Sequence, residues 1–268
     1  MAEWNNGVVQ GGATSRSGSD THVDQGLRSY MLGVYNYMAA GVALTGLVAY
    51  FLFTQTVTND PALAAKAANG AALAMRRGMY LTELGRMIYT TPLMWVLALA
   101  PLAFVFFLSF RVYKMSVAAA QASFWLFAAV MGASLSVLLL KYTGTSIARV
   151  FFVTSAAFAG LSLWGYTTKK DLTGWGSFLV MGVIGLILAS LVNIFFQSTA
   201  LQFAISAIGV LVFAGLTAYD TQNIKDGYYE VAHDSALMAK SAIMGALNLY
   251  LDFINMFTSM LGLFGDRE

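Results

Sequence analysis

The sequence predicts an all-α integral membrane protein, a bundle of seven transmembrane helices. Three observations carry that prediction: 58% of the residues are hydrophobic, only 10% are charged, and the apolar residues recur in long unbroken runs along the whole chain. A soluble domain carries about 25% charged residues, so water is not the main solvent. One span of about 20 residues would leave a polar remainder that the average excludes. Barrel strands alternate apolar and polar over about ten residues, and these runs do not alternate. Helices also satisfy their own backbone groups in lipid.

The apolar runs fall at 32 to 53, 93 to 110, 117 to 140, 147 to 166, 176 to 196, 200 to 219 and 242 to 264. With tilt, each is long enough for about 30 Å of hydrocarbon; the run at 93 to 110 needs its flanks Thr90, Thr91 and Val112 to reach it. Residues 1 to 30 read as a disordered polar tail and 31 to 265 as one membrane domain. The tail lacks the charged, apolar and small-residue succession of a cleaved signal, so none is expected. Residues 54 to 92, with Pro61, Lys66, Arg76, Arg77, Glu83 and Arg86 among alanines, read as an amphipathic interfacial insertion between the first two helices. Residues 220 to 241 read as a second polar connector.

Net charge is +2, with basic residues scattered between apolar runs, so no nucleic-acid partner is expected. The absence of cysteine excludes disulfides, thiol nucleophiles and cysteine metal sites. His22 and His233 are far apart in polar segments and read as solvated, without a zinc site. Gly182, Gly185 and the alanines near 118 to 122 read as close-packing surfaces.

Orientation follows from Lys and Arg in the short loops. A cytoplasmic N-terminus puts Arg16, Arg28, Arg111, Lys114, Lys169, Lys170, Lys225 and Lys240 inside. Lys141, Arg149, Arg267 and the four basic residues of 54 to 92 then lie outside. The short loops favour that arrangement, with the C-terminus outside.

A carboxylate at mid-membrane costs about 2.5 to 3.5 kcal/mol on insertion scales, which makes Asp252 conspicuous within an otherwise apolar run. Asn248, Asp252, Asn255 and Ser259 follow at i, i+4, i+7 and i+11 on one helix face. That face must meet other helices or water, because lipid cannot satisfy it. Asp220 ends the sixth run, below Phe213 and Thr217 on a shared face. A helix C-terminus disfavours a carboxylate, so another group should stabilise it. The competing readings are a solvated boundary residue for Asp220 and interhelical polar glue for Asp252 and its asparagines. Arg111 and Lys114 sit at a helix end where snorkelling is normal, and either could reach inward.

The segments AYDTQNIK (218 to 225) and LYLDFINMFTSMLGLFG (249 to 265), and more loosely FWLFAAVMGASLS in the third helix, resemble the Bax inhibitor-1 family. The resemblance implies that Asp220 and Asp252 form a pair that shares a proton, senses pH and controls a calcium leak. Bacterial members can set an arginine of the second helix against that pair, a place for which Arg111 and Lys114 compete. The 54 to 92 segment is longer than in simpler bacterial members. The implied protein is a non-enzymatic, pH-sensitive calcium (cation) channel or transporter in the plasma membrane, the inner membrane if bacterial. Its partners are lipid, calcium ions and protons, with no resident cofactor and with Asp220 and Asp252 as the possible calcium ligands. The alternatives are a non-conducting scaffold and an intramembrane aspartyl protease. The protease reading lacks its GxGD turn, since Leu249, Tyr250 and Leu251 precede Asp252.

Overall fold

The computed structural model describes residues 16–67, 70–76 and 78–267. Seven helices among them are long and apolar enough to cross a membrane. They are α1 (Arg16–Thr56), α3 (Leu93–Arg111), α4 (Val117–Lys141), α5 (Gly144–Thr167), α6 (Thr173–Phe196), α7 (Thr199–Val231) and α8 (Ser235–Phe264), with a short α2 (Glu83–Tyr89) beside α1 and α3. A single 3-10 turn, Val112–Lys114, lengthens the α3 span.

The bundle is built around α8. It packs against α7, α1, α5 and α4, while α3 rests on α4 and α6 on α7. Burial follows from that plan: α8 is the most enclosed span and α6 the most lipid-facing. The core gathers Phe124 and Phe127 of α4, Phe158 of α5, and Tyr250, Phe253 and Met256 of α8. Tyr250 stands edge-on to both Phe124 and Phe127, the arrangement aromatic quadrupoles favour. Its hydroxyl meets Thr45 Oγ1 at 2.6 Å, and Thr45 Oγ1 donates to the Ala128 carbonyl of α4 at 2.9 Å.

Three sequence expectations need correction. The tail read over residues 1 to 30 overlaps the first helix, because α1 begins at Arg16 and Leu27 and Tyr30 are already core. Residues 1–15 lie outside the described residues, as does the side chain of His22; His233 is exposed.

Residues 54 to 92 form no single amphipathic helix. They fold into a three-stranded antiparallel sheet in the order β1 (Val57–Thr58), β3 (Met79–Leu81), β2 (Ala74–Arg76), followed by α2. Pro61 starts a 3-10 turn capped by Asp60, and Gly70 and Gly78 take φ of +78° and +77°, a left-handed geometry that ends a helix. Thr82 caps α2 and ties it back to α1 through the Thr56 and Gln55 carbonyls.

The polar connector at 220 to 241 is almost entirely helical, with only residues 232 to 234 between α7 and α8. Ile224 and Tyr228, four apart, are buried while Asn223, Asp226 and Glu230 are exposed, so amphipathic packing carries α7 past the apolar run. Asp234 caps α8 by accepting from the Ala236 and Leu237 amides. Those bonds, Leu237 first, hold its carboxyl below the usual carboxylate range.

Candidate functional site

The α7–α8 hairpin sets the site. Three facing pairs define its antiparallel register: Gly245 against Ile224, Gly209 against Ser259 and Gly262 against Ser206. A Cβ on Gly209 would lie 2.6 Å from Ser259 Oγ, so the glycine is what lets the two backbones approach. Seven residues on from Gly209 and seven back from Ser259, Leu216 comes level with Asp252. Asp220 therefore stands one turn further along α7 than the level of Asp252. Side chains on a helix lean toward its N-terminus, and the two helices run in opposite directions. The two side chains lean toward each other.

The carboxyl groups of Asp220 and Asp252 meet within hydrogen-bonding reach. Asp252 is buried and Asp220 half-buried. Asp252 Oδ2 is enclosed and receives no donor from any other group among the described residues. Two carboxylates offer only acceptors, and a buried polar atom without a partner is costly. A proton on either acid supplies the missing donor and removes one of two adjacent charges. The geometry suits a pair that holds one proton.

The rest of the predicted stripe is placed differently. Asn248 is half-buried on the same helix. Asn255 donates to the Leu251 carbonyl of its own helix at 2.9 Å, and with Ser259 it lines a cleft bounded by α3, α4, α6 and α7. Arg111 and Lys114 are both exposed at the α3 end, with no ion pair or side-chain hydrogen bond to either aspartate. Neither supplies an arginine latch here, because the turn that ends α3 leaves both side chains in solvent.

One polar ladder escaped the sequence reading. Tyr35 of α1 meets Ser162 of α5 at 2.6 Å, and Ser162 meets Thr221 of α7 at 2.8 Å. Thr221 in turn donates to the Thr217 carbonyl at 2.7 Å. This chain of hydroxyls binds three helices immediately beside Asp220. Its only sequence signal is the Thr217, Thr221 pair at i and i+4. The next residue, Gln222, accepts from the Leu172 amide and donates to the Lys170 carbonyl, fastening the α5–α6 turn to α7. Among the described residues no group of three or more His, Cys, Asp and Glu side chains could hold a metal ion, so the pair offers two carboxyls alone.

Comparison with known proteins gives the family of the chain. The profile described as "Inhibitor of apoptosis-promoting Bax1" matches residues 27–268. A protein of Caulobacter vibrioides is 46% identical over 268 residues, the full length of both chains. The inner membrane protein YbhL of Escherichia coli is 40% identical over 255 residues, covering 94% of this chain and 98% of its own. A protein of Rickettsia prowazekii, RP147, is 45% identical over 245 residues, 91% of this chain and 92% of that one. With seven membrane-spanning helices and a match that runs nearly end to end, the chain belongs to the Bax inhibitor-1 family of multi-pass membrane proteins.

Proposed function

We propose that the protein is a non-enzymatic, pH-sensitive cation leak, with calcium as the ion that the family resemblance implies, gated by a proton shared between Asp220 and Asp252. The observation that carries the reading is the contact of these two carboxyls in the enclosed α7–α8 seam. With one proton between them the pair holds the seam together. Losing it leaves two like charges in a weakly polar place, which favours separation of α7 from α8 and attracts a hard cation to the freed oxygens. pH thereby biases a two-state bundle.

Flux into liposomes containing only the purified chain tests the proposal. Calcium flux is expected to rise with pH in the wild type and to lose that dependence in Asp252→Asn and in Asp220→Asn, both still folded. The double change should add little, because coupled groups are not additive. A single Asn variant that keeps the full pH response would overturn the shared-proton mechanism. No flux at any pH from the purified chain would leave the scaffold reading.

The orientation belongs to the same proposal: N-terminus and the Lys169–Lys170 turn in the cytoplasm of a bacterial cell, C-terminus across the inner membrane. The excess of Lys and Arg in the short loops supports it. Reporter fusions after Lys170 and after Glu268 should report opposite compartments, and agreement between them would refute it.

A further inference from the structure

The two outer spans stand apart. Since α3 rests on α4 and α6 on α7, a cleft of about 660 Å³ runs between them, floored by α8. Its walls are apolar, with Pro101, Leu102 and Val105 on α3 facing Leu186, Ile187 and Leu191 on α6. Leu102, Ile187 and Leu191 are also exposed, so the cleft opens sideways on the surface that lipid covers. Two groups of the polar floor are already engaged within α8: Asn255 donates to the Leu251 carbonyl and Thr258 to the Asn255 carbonyl. An apolar occupant would break neither bond.

Toward the C-terminal end of α8 the cleft continues into a second cavity of about 620 Å³, the two sharing Ser190, Ile194 and Gln202. The mouth of this cavity carries Lys141 and Arg267. Both are exposed, and they lie over the ring of the buried Tyr142 at 5.6 Å and 5.8 Å. A backbone bridge between Tyr142 and Arg267 fixes their spacing. Neither cation has an acidic partner among the described residues, because the nearby Asp266 faces Arg149 at 3.9 Å. From Gln202 to Phe213, the ends of the cleft on α7, the helix rises about 16 Å. That is about half of a 30 Å hydrocarbon core, the depth of one leaflet.

We propose that this cleft binds an anionic phospholipid, its phosphate held between Lys141 and Arg267 and one acyl chain lying between α3 and α6 toward Phe213. The positive mouth selects a negative headgroup. The apolar walls and the leaflet-deep length select a chain. The same two cations oppose the passage of a cation by this route, so the lipid site and the leak proposed above are separate features and stand or fall independently.

Native mass spectrometry of the full chain in neutral detergent tests the site, with dipalmitoyl phosphatidylglycerol, dipalmitoyl phosphatidylcholine and glycerol 3-phosphate as probes. The glycerol lipid should be retained well above the choline lipid, and glycerol 3-phosphate should not compete at equal concentration. Lys141→Gln with Arg267→Gln should weaken the anionic lipid about thirtyfold, the loss expected of two basic residues at an anionic surface. The choline lipid, whose phosphate is offset by its own ammonium, should lose much less. Ser190→Trp, which fills the joint of the two cavities, should weaken both lipids while the protein elutes as the wild type does. Lys169→Gln with Lys170→Gln, on the opposite membrane face, should change nothing. Equal retention of the two lipids would overturn the proposal, as would an equal loss in the Lys169, Lys170 variant. Competition by glycerol 3-phosphate as strong as by the lipid would assign the mouth to a free anion instead.

Discussion

Asp220 of α7 and Asp252 of α8 meet carboxyl to carboxyl across 32 residues of sequence, because two antiparallel helices offset by one turn lean their side chains toward each other. The chain has no cysteine, so Asp220→Cys with Asp252→Cys provides a clean test of that proximity. A short bifunctional thiol reagent applied in membranes should link the two helices in high yield, read as loss of separate fragments after cleavage in the α7–α8 turn, since an axial offset of about 6 Å is too long for a direct disulfide. Absence of the link at every pH would break the pair.

Close approach along the same seam depends on Gly209. Gly209→Ala places a methyl 2.6 Å from Ser259 Oγ and should cost about 1 to 3 kcal/mol, the usual penalty for overpacking. Ser259→Ala removes that oxygen and should restore most of the loss, measured by unfolding in mixed micelles. Additive losses in the double variant would mean that the two residues do not touch.

The buried Tyr250–Thr45–Ala128 chain should respond unequally to its two single deletions. Tyr250→Phe leaves Thr45 still donating to the Ala128 carbonyl, so only one bond is lost, at a cost on the order of 0.6 kcal/mol within a membrane. Thr45→Val strands the Tyr250 hydroxyl, at about 1 to 3 kcal/mol for an unsatisfied buried group, while the Ala128 carbonyl keeps its bond within α4. Equal losses would show that the hydroxyls are not coupled.

Acid should loosen the turns. Asp234 is held below the usual carboxylate range by the Leu237 and Ala236 amides, and Asp171 by Thr173. A depressed folded value gives a contribution that is complete above the unfolded pKa of about 3.9 and is lost as pH falls through the folded value. Thermal unfolding in detergent should therefore shift to lower temperature below about pH 4. Asp234→Asn keeps a cap but not the titration, so it should reduce the acid-dependent part of the shift. An unchanged acid profile in that variant would exclude Asp234 as a contributor.

Much of this was legible in the sequence. A carboxylate inside an unbroken apolar run is rare enough that Asp252 declared itself, and its i, i+4, i+7, i+11 neighbours defined a face. What hydropathy could not see was periodicity within polar stretches. Ile224 and Tyr228 carry α7 well past the apolar run, and averaging them with Asn223, Asp226 and Glu230 turned a helix into an expected loop. Strands of two or three residues, such as Val57–Thr58, leave no period at all, so the small sheet was invisible. Arg111 and Lys114 sit at a helix end, and sequence position did not say that the end would turn both side chains away from the aspartates. The ladder from Tyr35 to Thr221 was hidden because a hydroxyl in an apolar run is ordinary until its partner is known.

The residues that follow α8 are stitched to the α4–α5 corner. The Thr143 amide donates to the Asp266 carbonyl, the Asp266 amide donates to Ser146 Oγ, and Tyr142 bridges to Arg267. At its other end α8 is joined to α7 by only three residues. Both ends of α8 are therefore held, one at the α4–α5 corner and the other by the short turn to α7. Any motion that parts Asp252 from Asp220 must bow or rotate the middle of the helix, with the least displacement at its two ends.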